Sequence, residues 1–206
     1  MATGTLTEQQ FTDAAEQFSE LSRRLDDGWE LIKPDSGANV YLRKRLKQTL
    51  NTAIGTGRSA SDDDDSELLM EDPSLADGGV VNPVSKQEDV YQFEYHVVYS
   101  VSYQVPVLYF NAYKSDGTML RLEEAWDGFR DLASESREQL RQTLTQMEHP
   151  ILFRPFLALH PCRTAQVLGN VANAGCANLL VAFVSSYGPF VSLALDVRYG
   201  TLGSEK

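Results

Sequence analysis

The chain has 206 residues, enough for one domain with a substantial core and some length left for loops. Hydrophobic residues at 42% and charged residues at 23% are the proportions of a soluble globular protein and confine disorder to local segments. A formal net charge of −11 argues against non-specific nucleic-acid binding and anionic-membrane binding, because both rest on excess Lys and Arg.

The first element is marked by its cap. Thr7 followed by Gln10 fits a capping box, with Leu6 and Phe11 at the positions of a hydrophobic staple. Phe11, Ala14, Ala15, Phe18, Leu21 and Leu25 follow a helical stripe, and Gly28 supplies the stop. The segments 29–33 and 40–47, joined by turn residues 34–39, read as a β-hairpin with a long loop. Tyr41, Arg43, Arg45 and Lys47 share one face of the second strand, a basic stripe that reads as a solvated face partly neutralised by the aspartate run downstream.

Residues 48–88 have a different composition, rich in Ser, Gly and Asn and containing Asp62-Asp63-Asp64-Asp65. This segment is expected to be a flexible insertion, since it offers little apolar surface to offset the entropy of ordering. Within it, Leu68-Leu69-Met70 lie among acids, a pattern that reads as solvated chain or as a segment that orders on a partner.

From Tyr91 to Tyr103 the odd positions are Tyr, Phe or Val and most even positions are polar, which predicts a strand with one buried face and puts His96 on the polar one. Pro106 separates it from a strand at 107–114, closed by Ser115-Asp116-Gly117. Helical spacing returns at Leu122, Trp126 and Phe129, then at Leu140, Leu144 and Met147, with His149 at the end. A short strand at 156–160, helices at 163–171 and 176–187 and a last strand at 190–198 complete the order. The fold class is α+β: an antiparallel sheet with flanking helices in a single domain.

Two cysteines, and a first ten residues without the basic start and apolar core of a leader, point to a reducing, cytoplasmic setting. Residues 176–195 approach the length of a membrane span, but Ser185, Ser186, Gly188 and Pro189 interrupt them, so no stable membrane insertion is expected. Cys162, in His160-Pro161-Cys162-Arg163-Thr164, stands where a strand ends and a helix opens. A free cysteine is often a packing residue. A helix N-terminus beside Arg163 favours thiolate, which turns the reading toward a nucleophile. Cys176 lies in an apolar helix candidate and reads as core filler. Three histidines and two cysteines are a poor stock for zinc, and no cofactor is implied. His160 shares strand parity with Phe156 and Ala158 and reads first as a structurally oriented side chain, second as a general base.

Three segments resemble one family: EYHVVYSVSYQVPVLYF (94–110), EHPILFRPFLALHPCRT (148–164) and SSYGPFVSLALDVRY (185–199). They resemble the autophagy-related protein ten family, ubiquitin-like-conjugating enzymes of autophagy similar to ubiquitin-conjugating enzymes. The resemblance implies that Cys162 accepts a ubiquitin-fold modifier, autophagy-related protein twelve, as a thioester from the activating enzyme autophagy-related protein seven. It implies transfer of that modifier to a lysine of autophagy-related protein five. Ordinary ubiquitin-conjugating enzymes place an Asn after a His-Pro pair to support the oxyanion; here neither His149-Pro150 nor His160-Pro161 is followed by Asn. The supporting candidates are His160, Pro161, Thr164, Asn111 and Tyr103, with Tyr109 also noted by residue type. An exposed strand edge suits strand addition by the acceptor, and the insertion near Leu68 suits the activating enzyme. The alternatives are a non-catalytic adaptor of the same fold, which needs no Cys162, and a cysteine hydrolase, which needs an imidazole on the thiol.

Overall fold

The computed structural model describes residues 4–34, 40–50, 89–129 and 142–203. Helix α1 (Glu8–Leu25) starts as its cap predicts: Thr7 Oγ1 accepts the Gln10 N–H and the Gln10 side chain accepts the Thr7 N–H. It ends two residues before Gly28, at a left-handed Asp26 whose N–H donates to the Ser22 carbonyl. Phe11, Ala15, Phe18 and Leu21 are buried, so the apolar stripe lies on the sheet.

Among the described residues six strands form that sheet in the order β1-β2-β3-β4-β6-β5, antiparallel throughout: β1 (Trp29–Ile32), β2 (Tyr41–Leu50), β3 (Asp89–Ser100), β4 (Val105–Tyr113), β5 (Leu144–Glu148) and β6 (Pro155–Leu159). β2 runs to Leu50, so the first residues assigned to the insertion are strand; the rest of the 48–88 segment, Leu68–Met70 included, lies outside the described residues. Pro106 lies inside β4, opposite Tyr99, and the β3–β4 connection is the turn 101–104 with Gln104 left-handed. The basic stripe is neutralised from neighbouring strands: Arg43 pairs with Glu30 at 2.6 Å and Arg45 with Glu94 at 3.0 Å.

Helices α2 (Leu122–Gly128), α3 (Thr164–Asn173) and α4 (Leu179–Tyr187) join α1 around the main core, which takes the odd residues of β3 from Tyr91 to Tyr99, Leu108 and Phe110 of β4, and Leu157 and Leu159 of β6. The segment 144–148, expected as helix, is β5. Its Leu, Gln, Met and Glu are good helix formers, but full pairing with β6 and burial of Leu144 against Leu159 override that propensity. The expected last strand at 190–198 is instead two 3-10 turns, Gly188–Val191 and Val197–Tyr199, separated by a left-handed Ser192. The chain folds back so tightly there that a Cβ on Gly188 would lie 2.4 Å from the Leu193 carbonyl oxygen, which only glycine tolerates.

The second face of the sheet is covered too, and this corrects the one-faced reading of β3. Tyr41, Val98, Val107, Tyr109, Phe156 and Ala158 form a smaller core under the β5–β6 turn, with Ile151 and Leu152 against it. His96 and His149, read as a polar-face residue and a helix end, are both fully buried there. Nδ1 of His149 accepts the N–H groups of Ile151 and Leu152 at 3.3 and 3.2 Å. A ring nitrogen that accepts carries no proton, so the neutral ring holds it on Nε2 and donates to His96 Nδ1 at 3.0 Å. His96 Nε2–H then donates to Glu94 Oε1 at 3.1 Å. His96 thus satisfies both ring nitrogens with Glu94 and His149 instead of with water.

Burial pushes the His149 imidazole down to about 3, with repulsion from His96 and Arg154 adding to it, and burial also lowers His96. The hydrogen bond from His96 holds Glu94 at about 2, against a burial effect of opposite sign. A histidine kept neutral by the fold contributes stability above its unfolded value of about 6.5, and loses it as pH falls through that value toward 3. Glu94 adds in the same direction, below its ordinary 4.5. Thermal midpoints between pH 7.5 and 4.5 should therefore fall on acidification, and His149→Gln should flatten the fall. Thr7→Ala should lower unfolding stability by about 1 kcal/mol in urea titrations, with Thr7→Ser close to wild type.

Candidate active site

β6 delivers the site. Phe156 and Ala158 face the smaller core and Leu157 and Leu159 the main one, so the strand is buried on both faces up to its last residue. The His160 N–H donates to the Thr143 carbonyl at 2.7 Å, after which Pro161 fixes the backbone for a 3-10 turn, Pro161–Arg163. The Thr164 N–H donates to the Pro161 carbonyl and α3 begins there. Cys162 sits on this turn with its side chain exposed, while Pro161 and Thr164 are buried beneath it.

Three of the other expected residues gather around the thiol's position. His160 Nδ1 accepts the Cys162 N–H at 3.2 Å, which places the proton of the neutral ring on Nε2. The ring is met edge-on by Tyr103 from the β3–β4 turn, centroids 5.9 Å apart. Thr164 opens α3 two residues after the cysteine and is buried. Asn111 is not brought in. It follows the pair Phe110↔Leu157, at the far end of β6, and borders another cavity with Leu120 and Gln146. Tyr109 faces His149 across the smaller core, 5.1 Å between ring centroids.

Beside Cys162 opens a cavity of about 420 Å³, lined by His160, Cys162, Val167, Tyr187, Phe190 and Thr143 among others. Tyr187, Val167 and Phe190 escape a reading of the sequence, because spacing from Phe183 gives Tyr187 the look of plain core. The available signal is a tyrosine directly before Gly188-Pro189, at a helix end. Burial raises the Tyr187 pKa, and a negative charge on Cys162 raises it further.

Cys176 contrasts with this. It lies before α4, not within it, because Asn178 Oδ1 caps that helix by accepting the N–H groups of Leu180 and Val181 at 3.0 and 3.3 Å. Its Sγ–H donates to the Asn178 carbonyl, and it borders a separate groove of about 590 Å³ with Gln10, Asp13 and Gln17. Among the described residues no three His, Cys, Asp or Glu side chains converge as metal ligands, and no helix is long and apolar enough to cross a membrane.

The geometry offers an exposed thiol at the rim of a partly apolar cavity. A hydrolase dyad needs an imidazole nitrogen on the thiol; His160 instead commits Nδ1 to a backbone N–H and its ring to Tyr103.

Residues 10–197 match the family described as "Autophagocytosis associated protein, active-site domain". The "Ubiquitin-like-conjugating enzyme ATG10" of Homo sapiens is 34% identical over 210 residues, covering 96% of this chain and 94% of that protein. The protein of the same name from Arabidopsis thaliana is 33% identical over 63% of this chain and 59% of its own length. "Autophagy-related protein 3" of Pichia angusta is 31% identical over 55% of this chain and 33% of that protein. The chain therefore belongs to the autophagy-related protein ten family and is a ubiquitin-like-conjugating enzyme, a transferase of the autophagy conjugation system.

Proposed function

We propose that Cys162 carries the modifier. Its thiolate attacks the thioester on the activating enzyme autophagy-related protein seven, takes over the C-terminal acyl group of autophagy-related protein twelve, and surrenders it to a lysine amine of autophagy-related protein five. One thioester is exchanged for another in the first step, so the reaction needs an accessible thiolate more than a dedicated base. The observation that carries the reading is the position of Cys162: exposed on a turn, beside a cavity, with rigid elements on either side.

Transfer to the amine needs positioning and support for a tetrahedral oxyanion. His160 and Pro161 set the direction of the turn and Thr164 anchors it from below. Tyr103 holds the His160 ring. The setting proposed is the cytoplasm, where a free cysteine stays reduced; both cysteines are free thiols.

Replacing Cys162 by Ser and incubating with activating enzyme, ATP and modifier should convert a thiol-sensitive adduct into a thiol-resistant oxyester on non-reducing gels. Cys162→Ala should yield no adduct and no conjugate while keeping the wild-type unfolding midpoint within about 1 °C, since an exposed substitution changes stability by a few tenths of a kcal/mol. Conjugate formed at the wild-type rate by Cys162→Ala would turn the account to the adaptor.

A further inference from the structure

Aminolysis of a thioester develops negative charge on the carbonyl oxygen, and a hydrogen-bond donor already fixed at that point stabilises it without reorganisation. The His-Pro-Asn solution is missing here, since Ile151 and Cys162 come after the two His-Pro pairs. The Cys162 backbone N–H is committed to His160 Nδ1 at 3.2 Å. Asn111 lies at the other end of β6, and Tyr103 is 44% exposed on a turn.

We propose that the Tyr187 hydroxyl is the oxyanion donor for discharge of the thioester on Cys162, an inference that rests on the reading of Cys162 as the carrier. Tyr187 lines the same cavity as Cys162. It closes α4 and, with Val167 of α3 and with Phe190, walls that cavity beside the turn that bears the thiol. Its ring is held by Phe183 at 5.0 Å and Phe190 at 6.4 Å between centroids, and the residue is 8% exposed. This is the rigid support that an oxyanion donor requires and that a side chain on a surface turn lacks. Burial raises the phenol pKa, so the group remains a donor at neutral pH and is not converted to an acceptor.

In the reaction the amine nitrogen bonds to the thioester carbon and the carbonyl pair moves onto oxygen, where Tyr187 O–H donates a hydrogen bond. Collapse restores the carbonyl and expels Cys162 as thiolate. The proton lost by nitrogen goes to solvent, and Tyr187 keeps its own.

The test is single-turnover discharge of the loaded full-length chain onto free lysine, with rates taken per loaded molecule so that differences in loading drop out. Tyr187→Phe keeps the ring and its packing. It should lower the rate at saturating lysine by about a hundredfold or more, the range for loss of one oxyanion donor, and leave the half-saturating lysine concentration unchanged. Discharge of Tyr187→Phe at the wild-type rate, or a defect confined to half-saturation, would overturn the proposal. A wild-type chain that takes no modifier on Cys162 overturns the carrier reading instead, and the two failures are read from different lanes.

Discussion

Burial of β6 on both faces is the constraint on which the site depends. The strand has five residues, two registered pairs with β4 and five with β5, but its hydrogen bonds, at about 1 kcal/mol net each, do not by themselves choose its register. Its side chains do. Phe156, Leu157 and Leu159 are each nearly inaccessible, and full burial of such side chains stabilises by about 1.5–3 kcal/mol apiece. Because alternate residues enter two different cores, a slip of one position would exchange Phe156 and Ala158 with Leu157 and Leu159 and disturb both. That fixed register determines where the chain leaves the sheet, and Cys162 is three residues past the exit.

Beyond that exit the chain is short and rigid for the same reason. Pro161 admits a narrow range of backbone angles, the His160 ring is tied to the cysteine's own N–H, and α3 begins two residues on. An exposed nucleophile is thus presented by an immobile support, with the cavity toward Tyr187 and Phe190 on one side and open surface on the other. The buried His149–His96–Glu94 chain serves the opposite face, where it locks the β5–β6 turn over the smaller core and stabilises the start of the same strand.

Legibility in the sequence tracks locality. Thr7 and Gln10 make a contact three residues apart, and the helix they cap is readable from that spacing. The odd positions of β3 announce one core, and the His-Pro-Cys turn announces a strand end. His96 is unreadable as a buried residue because its partner lies 53 positions away, directly after an element whose helix-forming composition disguises a strand. The return at 188–199 pairs with no strand among the described residues, and the close approach at Gly188 is visible only when Leu193 is seen against it. At the site, Cys162, His160, Pro161 and Thr164 are near neighbours in sequence and can be read together; Tyr187 comes from another helix and cannot. Asn111, chosen by residue type alone, is the counterexample.

The two cysteines make the central claim decidable in one molecule. One is exposed beside a cavity on a fixed turn, the other half-buried before α4 with its thiol engaged by a carbonyl. The wild-type chain, loaded with modifier and digested at acidic pH to preserve the thioester, can be mapped by mass spectrometry. The account predicts the modifier's C-terminal glycine on the peptide containing Cys162 and unmodified Cys176. The glycine on Cys176, or on a lysine with both thiols free, would contradict it.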